Sequence, residues 1–104
     1  MRQAIILAHG KRAGILTEVA ADDYNFEYDQ NYEGEAVSLT MPTNHKKYSY
    51  KSFPPFFEGL LPEGVMLQGL LSIAKIDKKD YFSQLIATGN DLVGSVTVQL
   101  LENE

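Results

Sequence analysis

Tyr24-Asn25-Phe26-Glu27-Tyr28 alternates aromatic and polar residues over five positions. A period of two is the side-chain repeat of a β-strand, so the three rings fall on one face and Asn25 and Glu27 on the other. One aromatic face on a short strand calls for a partner layer, and the flanking sequence supplies candidates on both sides. Upstream, the apolar residues 4–8 and 13–19 are separated by His9-Gly10-Lys11-Arg12, which predicts a hairpin with a glycine-containing turn. Downstream, Val37, Leu39 and Met41 alternate after the turn-rich residues 31–35 and predict a fourth strand. These four strands are expected to form an antiparallel meander.

From residue 42 the pattern changes. Residues 42–51 are polar and lack a period, with a short strand suggested near Tyr48-Ser49-Tyr50. Pro55 is placed to open a helical turn, where its missing N–H costs nothing, and Pro62 to end it. Leu67, Leu70, Leu71 and Ala74 fall at i, i+3, i+4 and i+7 and predict a helix over residues 63–75. Asp77, followed by Asp80, reads as an N-cap with an acidic first turn. A helix over Tyr81–Thr88 follows, packing Phe82, Leu85 and Ile86 and stopped by Gly89. Val96, Val98 and Leu100 then alternate as a closing strand. The fold class is α+β: a small antiparallel sheet, N-terminal strands plus a C-terminal one, packed against two or three short helices. Residues 1–104 read as a single domain.

Composition bounds the function. With 9 Lys and Arg against 14 Asp and Glu the net charge is −5, the wrong sign for phosphate-backbone binding, so no direct nucleic-acid partner is expected. The chain has no cysteine, which removes disulfides, thiolate metal sites and cysteine nucleophiles. No apolar stretch approaches the roughly 20 residues that cross a bilayer, and no membrane partner is expected. The chain reads as soluble and cytoplasmic.

A catalytic site is not found. His9 and His45 lie in predicted turns or loops without an acid at metal-ligand spacing. Gly10-Lys11-Arg12-Ala13-Gly14 lacks the spacing of a phosphate-binding loop. Asp22-Asp23 and the Asp77/Asp80 pair are accounted for by turns and caps, and Asp77-Lys78-Lys79-Asp80 lacks the remaining ligands of a calcium loop. The reading is therefore a chain with no catalytic residue, no metal and no cofactor. Lys46, Lys47 and Lys51, interleaved with Tyr48 and Tyr50, form a small basic cluster, better read as a solvated loop than as a single-strand binder. The densest signal is residues 53–66, with three phenylalanines, three prolines and two Leu-Leu/Val-Met pairs. Phe56, Phe57, Leu60 and Leu61 suit a core. Val65 and Met66 sit where an apolar wedge can face out, and prolines keep the ordering cost of docking low.

Two spaced motifs then match a known pattern. Phe56-Phe57-Glu58-Gly59-Leu60-Leu61-Pro62-Glu63-Gly64 resembles the FF-x-x-LLP-[DE]-[GN] signature of the N-terminal subdomain of HipA-type toxin kinases. Phe82-x-x-Leu85-x-x-x-Gly89-x-Asp91-x-x-Gly94 resembles that subdomain's closing helix, G-x-D-x-x-G turn and last strand. The Gly10–Gly14 turn and Ser38-Leu39 with Pro42 fit the same family, so the resemblance covers nearly the whole sequence. The sequence ends at Glu104, soon after the second motif, where HipA-type kinases continue into their kinase core. It therefore resembles the free-standing, HipS-like form of the subdomain found in split HipBST toxin–antitoxin systems. That resemblance implies a non-catalytic, antitoxin-like subunit that binds a HipT-type Ser/Thr kinase toxin, with a HipB-like DNA-binding protein completing a ternary complex. It implies structural roles for Phe56, Pro62, Gly64, Gly89, Asp91 and Gly94, and contact with the kinase through Phe57, Leu61, Glu63, Val65 and Met66. The position after the LLPEG element, which the family can fill with a bulky inserting residue, is Val65 here, and the sequence has no tryptophan. The alternative is a structural subunit that completes the kinase fold or links it to HipB without inhibiting it alone.

Overall fold

A computed structural model describes residues 2–89, Leu92 and residues 95–101. The order along the chain is β1 (Arg2–Ala8), β2 (Lys11–Ala20), β3 (Asp23–Tyr28), β4 (Lys47–Tyr50), α1 (Pro55–Glu58), α2 (Gly64–Ala74), α3 (Tyr81–Thr88) and β5 (Val96–Leu101). All strand pairs are antiparallel, and the sheet order is β4-β3-β2-β1-β5. The expected α+β architecture, a meander closed by the C-terminal strand, is therefore the one observed.

Local chemistry sets these elements. His9 and Gly10 have φ of 52° and 78°, a two-residue turn with both centres left-handed, whose twist matches that of the flanking strands. The turn is tighter than the sequence suggested, and residues 11–14 belong to β2. One face of the sheet carries Ala4, Ile6, Leu16, Tyr24, Phe26, Tyr28, Val96 and Val98, all buried. Phe57 from α1 and Phe82 and Leu85 from α3 are buried against it. Pro55 opens α1 as expected. At α3 the N-cap is Asp80 rather than Asp77: its carboxylate accepts from the Ser83 amide at 3.1 Å. Asp77 instead accepts from the Lys79 amide in the preceding turn. Gly89 ends α3 against β5, where its carbonyl accepts from Val98 N at 3.0 Å. A Cβ there would lie 2.0 Å from the Val98 carbonyl oxygen, so only glycine permits this approach.

The predicted strand at Val37, Leu39 and Met41 is not formed, and the fourth strand is Lys47–Tyr50 instead. Val37 and Met41 are buried while Leu39 is fully exposed, so the three do not share a face. The cause is the Tyr28 hydroxyl, which accepts from the Val37 amide at 3.0 Å and donates to the Met41 carbonyl. A side chain takes backbone groups that a strand ladder would use. The Met41 amide then closes a turn on Ser38 O at 3.1 Å.

Arg2 ties the sheet to α3. Its guanidinium donates to Glu18 at 2.7 Å, to Asp80 at 2.9 Å and to Ser83 Oγ at 2.8 Å, and lies 4.9 Å from the Phe82 ring centroid. Tyr24 donates to Glu18 as well, at 3.1 Å. The hydrogen bond from Arg2 holds the Glu18 carboxyl below its ordinary value. Partial burial pushes Asp80 up, but hydrogen bonds from Arg2 and Ser83 outweigh it and leave Asp80 lowered too. Burial, then the Glu18 carboxylate, raises the Tyr24 phenol to about 12. Because both carboxyls have lower pKa values folded than unfolded, the unfolded chain binds more protons as the pH falls. Their contribution is therefore intact above the ordinary carboxylate range, near pH 4, and is lost as acid titrates through the folded values. Urea unfolding followed from neutral pH to about pH 3 should show this loss, and Glu18→Gln should flatten the acid limb; an unchanged slope would remove Glu18 from the linkage.

Candidate partner-docking surface

The segment between α1 and α2 turns from core to surface within nine residues. Phe57 is fully buried, with its ring 5.9 Å from Phe26. It is therefore a core residue and cannot reach a partner, which corrects its assignment as a contact. Phe56 packs partly buried on Phe57 at 5.1 Å. The Leu60 and Leu61 amides bond back to Phe57 O and Glu58 O at 3.1 Å each, which brings both leucines half-buried to the edge of the core. Pro62 ends this turn, Glu63 is extended and exposed, and Gly64 takes a left-handed φ of 61° to start α2. Val65 and Met66 follow with their side chains out, 88% and 76% exposed.

The sequence-predicted site thus divides. Leu61 and Met66 line one cleft, Glu63 and Val65 are exposed between them in sequence, and Phe57 is buried in the core. Asp91 and Gly94, assigned structural roles, fall outside the described residues. Beside Met66 an open apolar cleft of about 580 Å³ is walled by Leu60, Leu61, Pro62, Leu70 and Leu92. Its far side comes from Thr88 at the end of α3, a residue the sequence reading did not single out and that no local motif marks. Ile73, 86% exposed, was also missed. It lies two turns beyond Val65, so helical spacing alone places it on the same stripe.

Helix α2 carries this surface without help from charge: none of its eleven residues, GVMLQGLLSIA, is ionisable. Leu67, Leu70 and Leu71 are half-buried toward the body of the protein, and none of the helix is fully buried. A water-facing helix with an apolar outer stripe is the signature of a surface meant to be covered. Elsewhere, no group of three or more His, Asp or Glu residues suited to a metal is present among the described residues. His9 lies 3.0 Å from Glu35, with both side chains largely exposed, and the ring of His45 packs edge-on to Tyr48. Lys46, Lys47 and Lys51 are exposed. No helix among the described residues is long and apolar enough to cross a membrane.

The sheet order, the Phe57 anchor and the glycine contact at the end of α3 define a small α+β domain. A family model for the HipA N-terminal domain matches residues 4–99, and the chain belongs to that family. A curated Haemophilus influenzae protein, described only as uncharacterized, is 27% identical over 99 residues, covering 95% of this chain and 92% of that one. A solved structure described as the N-terminal domain of HipA toxin matches with a TM-score of 0.80 at 26% identity, covering 100% of this chain and 96% of the other.

The burial contrast has a direct consequence for stability. Phe57→Ala should cost about 3–5 kcal/mol in urea unfolding. Val65→Asp and Met66→Asp should each stay within about 0.5 kcal/mol of the parent, as exposed substitutions do. A large loss at Val65 or Met66 would show that these side chains already have partners within the domain.

Proposed function

We propose that this chain is a non-catalytic, antitoxin-like subunit that docks on a HipT-type Ser/Thr kinase toxin, within a cytoplasmic HipBST-type assembly that also contains a HipB-like DNA-binding protein. The observation that carries this reading is the outward apolar end of α2: Val65 and Met66 are 88% and 76% exposed, beside an apolar cleft, on a member of the HipA N-terminal domain family. Leu61 lines the same cleft, and exposed Glu63 lies two residues before Val65. Among the described residues the cleft is lined by apolar side chains with the Thr88 hydroxyl as its one polar side chain, and it has no ionisable group, so it suits binding.

The mechanism follows from linkage. A subunit of this kind inhibits only if it binds an inactive arrangement of the kinase more tightly than the active one. An interface of about 1,600 Å² in total is enough for a specific complex. Val65 and Met66 would supply its apolar centre, since truncating central, desolvated side chains usually costs the most affinity. With valine at position 65, the protruding volume is that of a small branched side chain. More of the contact then falls to Met66, whose flexible thioether adapts to an uneven surface.

Isothermal titration against a cognate HipT-type kinase, with and without its HipB, tests the reading. Val65→Asp and Met66→Asp should each weaken binding at least tenfold, about 1.4 kcal/mol or more, while circular dichroism shows them folded. Co-expression should relieve the growth defect caused by the kinase, and the two variants should not. Unchanged binding by both variants would overturn the surface, and binding without growth relief would replace inhibition by a structural role.

A further inference from the structure

Gly69 is the midpoint of α2, five residues from each end of Gly64–Ala74. Glycine is the weakest helix former after proline, so its place at the centre of a helix needs a reason. Its own chain gives none: a Cβ at Gly69 would meet nothing within 4 Å. Around it, Val65 and Ile73 lie one turn before and one turn after, 88% and 86% exposed. Residues four apart form a ridge on a helix surface, so Val65, Gly69 and Ile73 make one ridge with a dip at its centre. The ends of the helix carry opposite charge. Exposed Glu63 precedes it and exposed Lys75 follows it, each six residues from Gly69, and the ion pairs of the described residues use neither.

These features are symmetric about Gly69 in position and opposite in charge, which is what a two-fold axis requires of a self-complementary surface. We propose that two copies of this chain associate through α2, antiparallel and crossing at Gly69. Val65 of each copy then packs beside Ile73 of the other, and Glu63 of each approaches Lys75 of the other. A parallel arrangement would set like charges together. The missing side chain at Gly69 lets the helix backbones approach closely at the crossing point. The helix is only about 16 Å long, so the contact falls well below the roughly 800 Å² per partner of a standard interface. The dimer is therefore weak and reversible. It uses Val65, so it excludes any partner docked on the same stripe, and the chain would have to dissociate to the monomer before binding the kinase proposed above.

The test is the mass of the full chain in solution, by sedimentation equilibrium from low micromolar to near-millimolar protein. The parent should move from 11.6 kDa toward twice that value as concentration rises. Gly69→Leu improves the helix and adds apolar surface, so indiscriminate hydrophobic association would strengthen. A side chain at the crossing point should instead leave the protein monomeric throughout. Glu63→Lys should weaken the dimer, and Glu63→Lys combined with Lys75→Glu should restore it. A parent that stays monomeric overturns the proposal, as does a Gly69→Leu variant that dimerises as well as the parent. If the parent is monomeric but the kinase protects α2 from hydrogen exchange, the stripe belongs to the kinase alone. A parent that dimerises yet binds no kinase supports the dimer and removes the docking reading instead.

Discussion

Phe57 and Phe26 meet with ring centroids 5.9 Å apart and planes tilted by 56°, and the course of the chain from α1 out to α2 depends on that contact. Helix α1 has four residues, too few to hold a helical turn in water by its own hydrogen bonds. It exists because Phe57 is driven into the aromatic row of β3, where Phe26 also packs edge-on to Tyr28 at 4.8 Å. Pro54 before it, Pro55 at its first position and Pro62 after it limit the conformations that the unfolded segment can lose on folding. With Phe57 inward, the turn through Leu60 and Leu61 can only bring the chain out at the surface. The exposure of Val65 and Met66 follows from a ring buried eight residues earlier.

The two longer helices are held unequally. Helix α3 has a side-chain cap from Asp80, a guanidinium clamp from Arg2 and a glycine contact with β5. Helix α2 has no side-chain cap and no fully buried residue. Local stability follows the number of buried contacts, so α2 is the element with most to gain from a partner. An element that contributes little to its own domain can be given over to recognition at small cost to the fold. The charge balance agrees, since the ionic clamp lies at the sheet end of α3 and the α2 stripe is left without charge.

Much of this was legible in the sequence because it is written in short-range periods. Tyr24, Phe26 and Tyr28 announce a half-buried strand, and Phe82 and Leu85 the inner face of α3. What was not legible depends on groups distant in sequence. Val37, Leu39 and Met41 alternate as a strand would, yet the Tyr28 hydroxyl claims their backbone from nine to thirteen residues away. Asp77 and Asp80 are both competent caps, and the choice falls on Asp80, whose carboxylate Ser83 and Arg2 also bond. At the site, the residues themselves gave Phe57 a core reading together with Phe56, Leu60 and Leu61, and only the resemblance made it a contact; one helical turn has no phase to separate fully buried Phe57 from half-buried Phe56. Ile73 needed no distant information; its spacing from Val65 was enough.

The pairing of β1 with β5 bears on the order in which the domain can be made. Gln3 lies opposite Leu101 and Ala8 opposite Val96, so β1 waits for β5 before both its edges are paired. On the ribosome, β1 to β4 can assemble early, but until β5 arrives the outer edge of β1 keeps its backbone donors and acceptors open. Such an edge is open to pairing with other chains. Closure by β5 also completes the contact at Gly89, so sheet and helix layer lock in the same late step. The sheet therefore closes only once residues 96–101 have been made, and the interval before that step is when this domain is most exposed to aggregation.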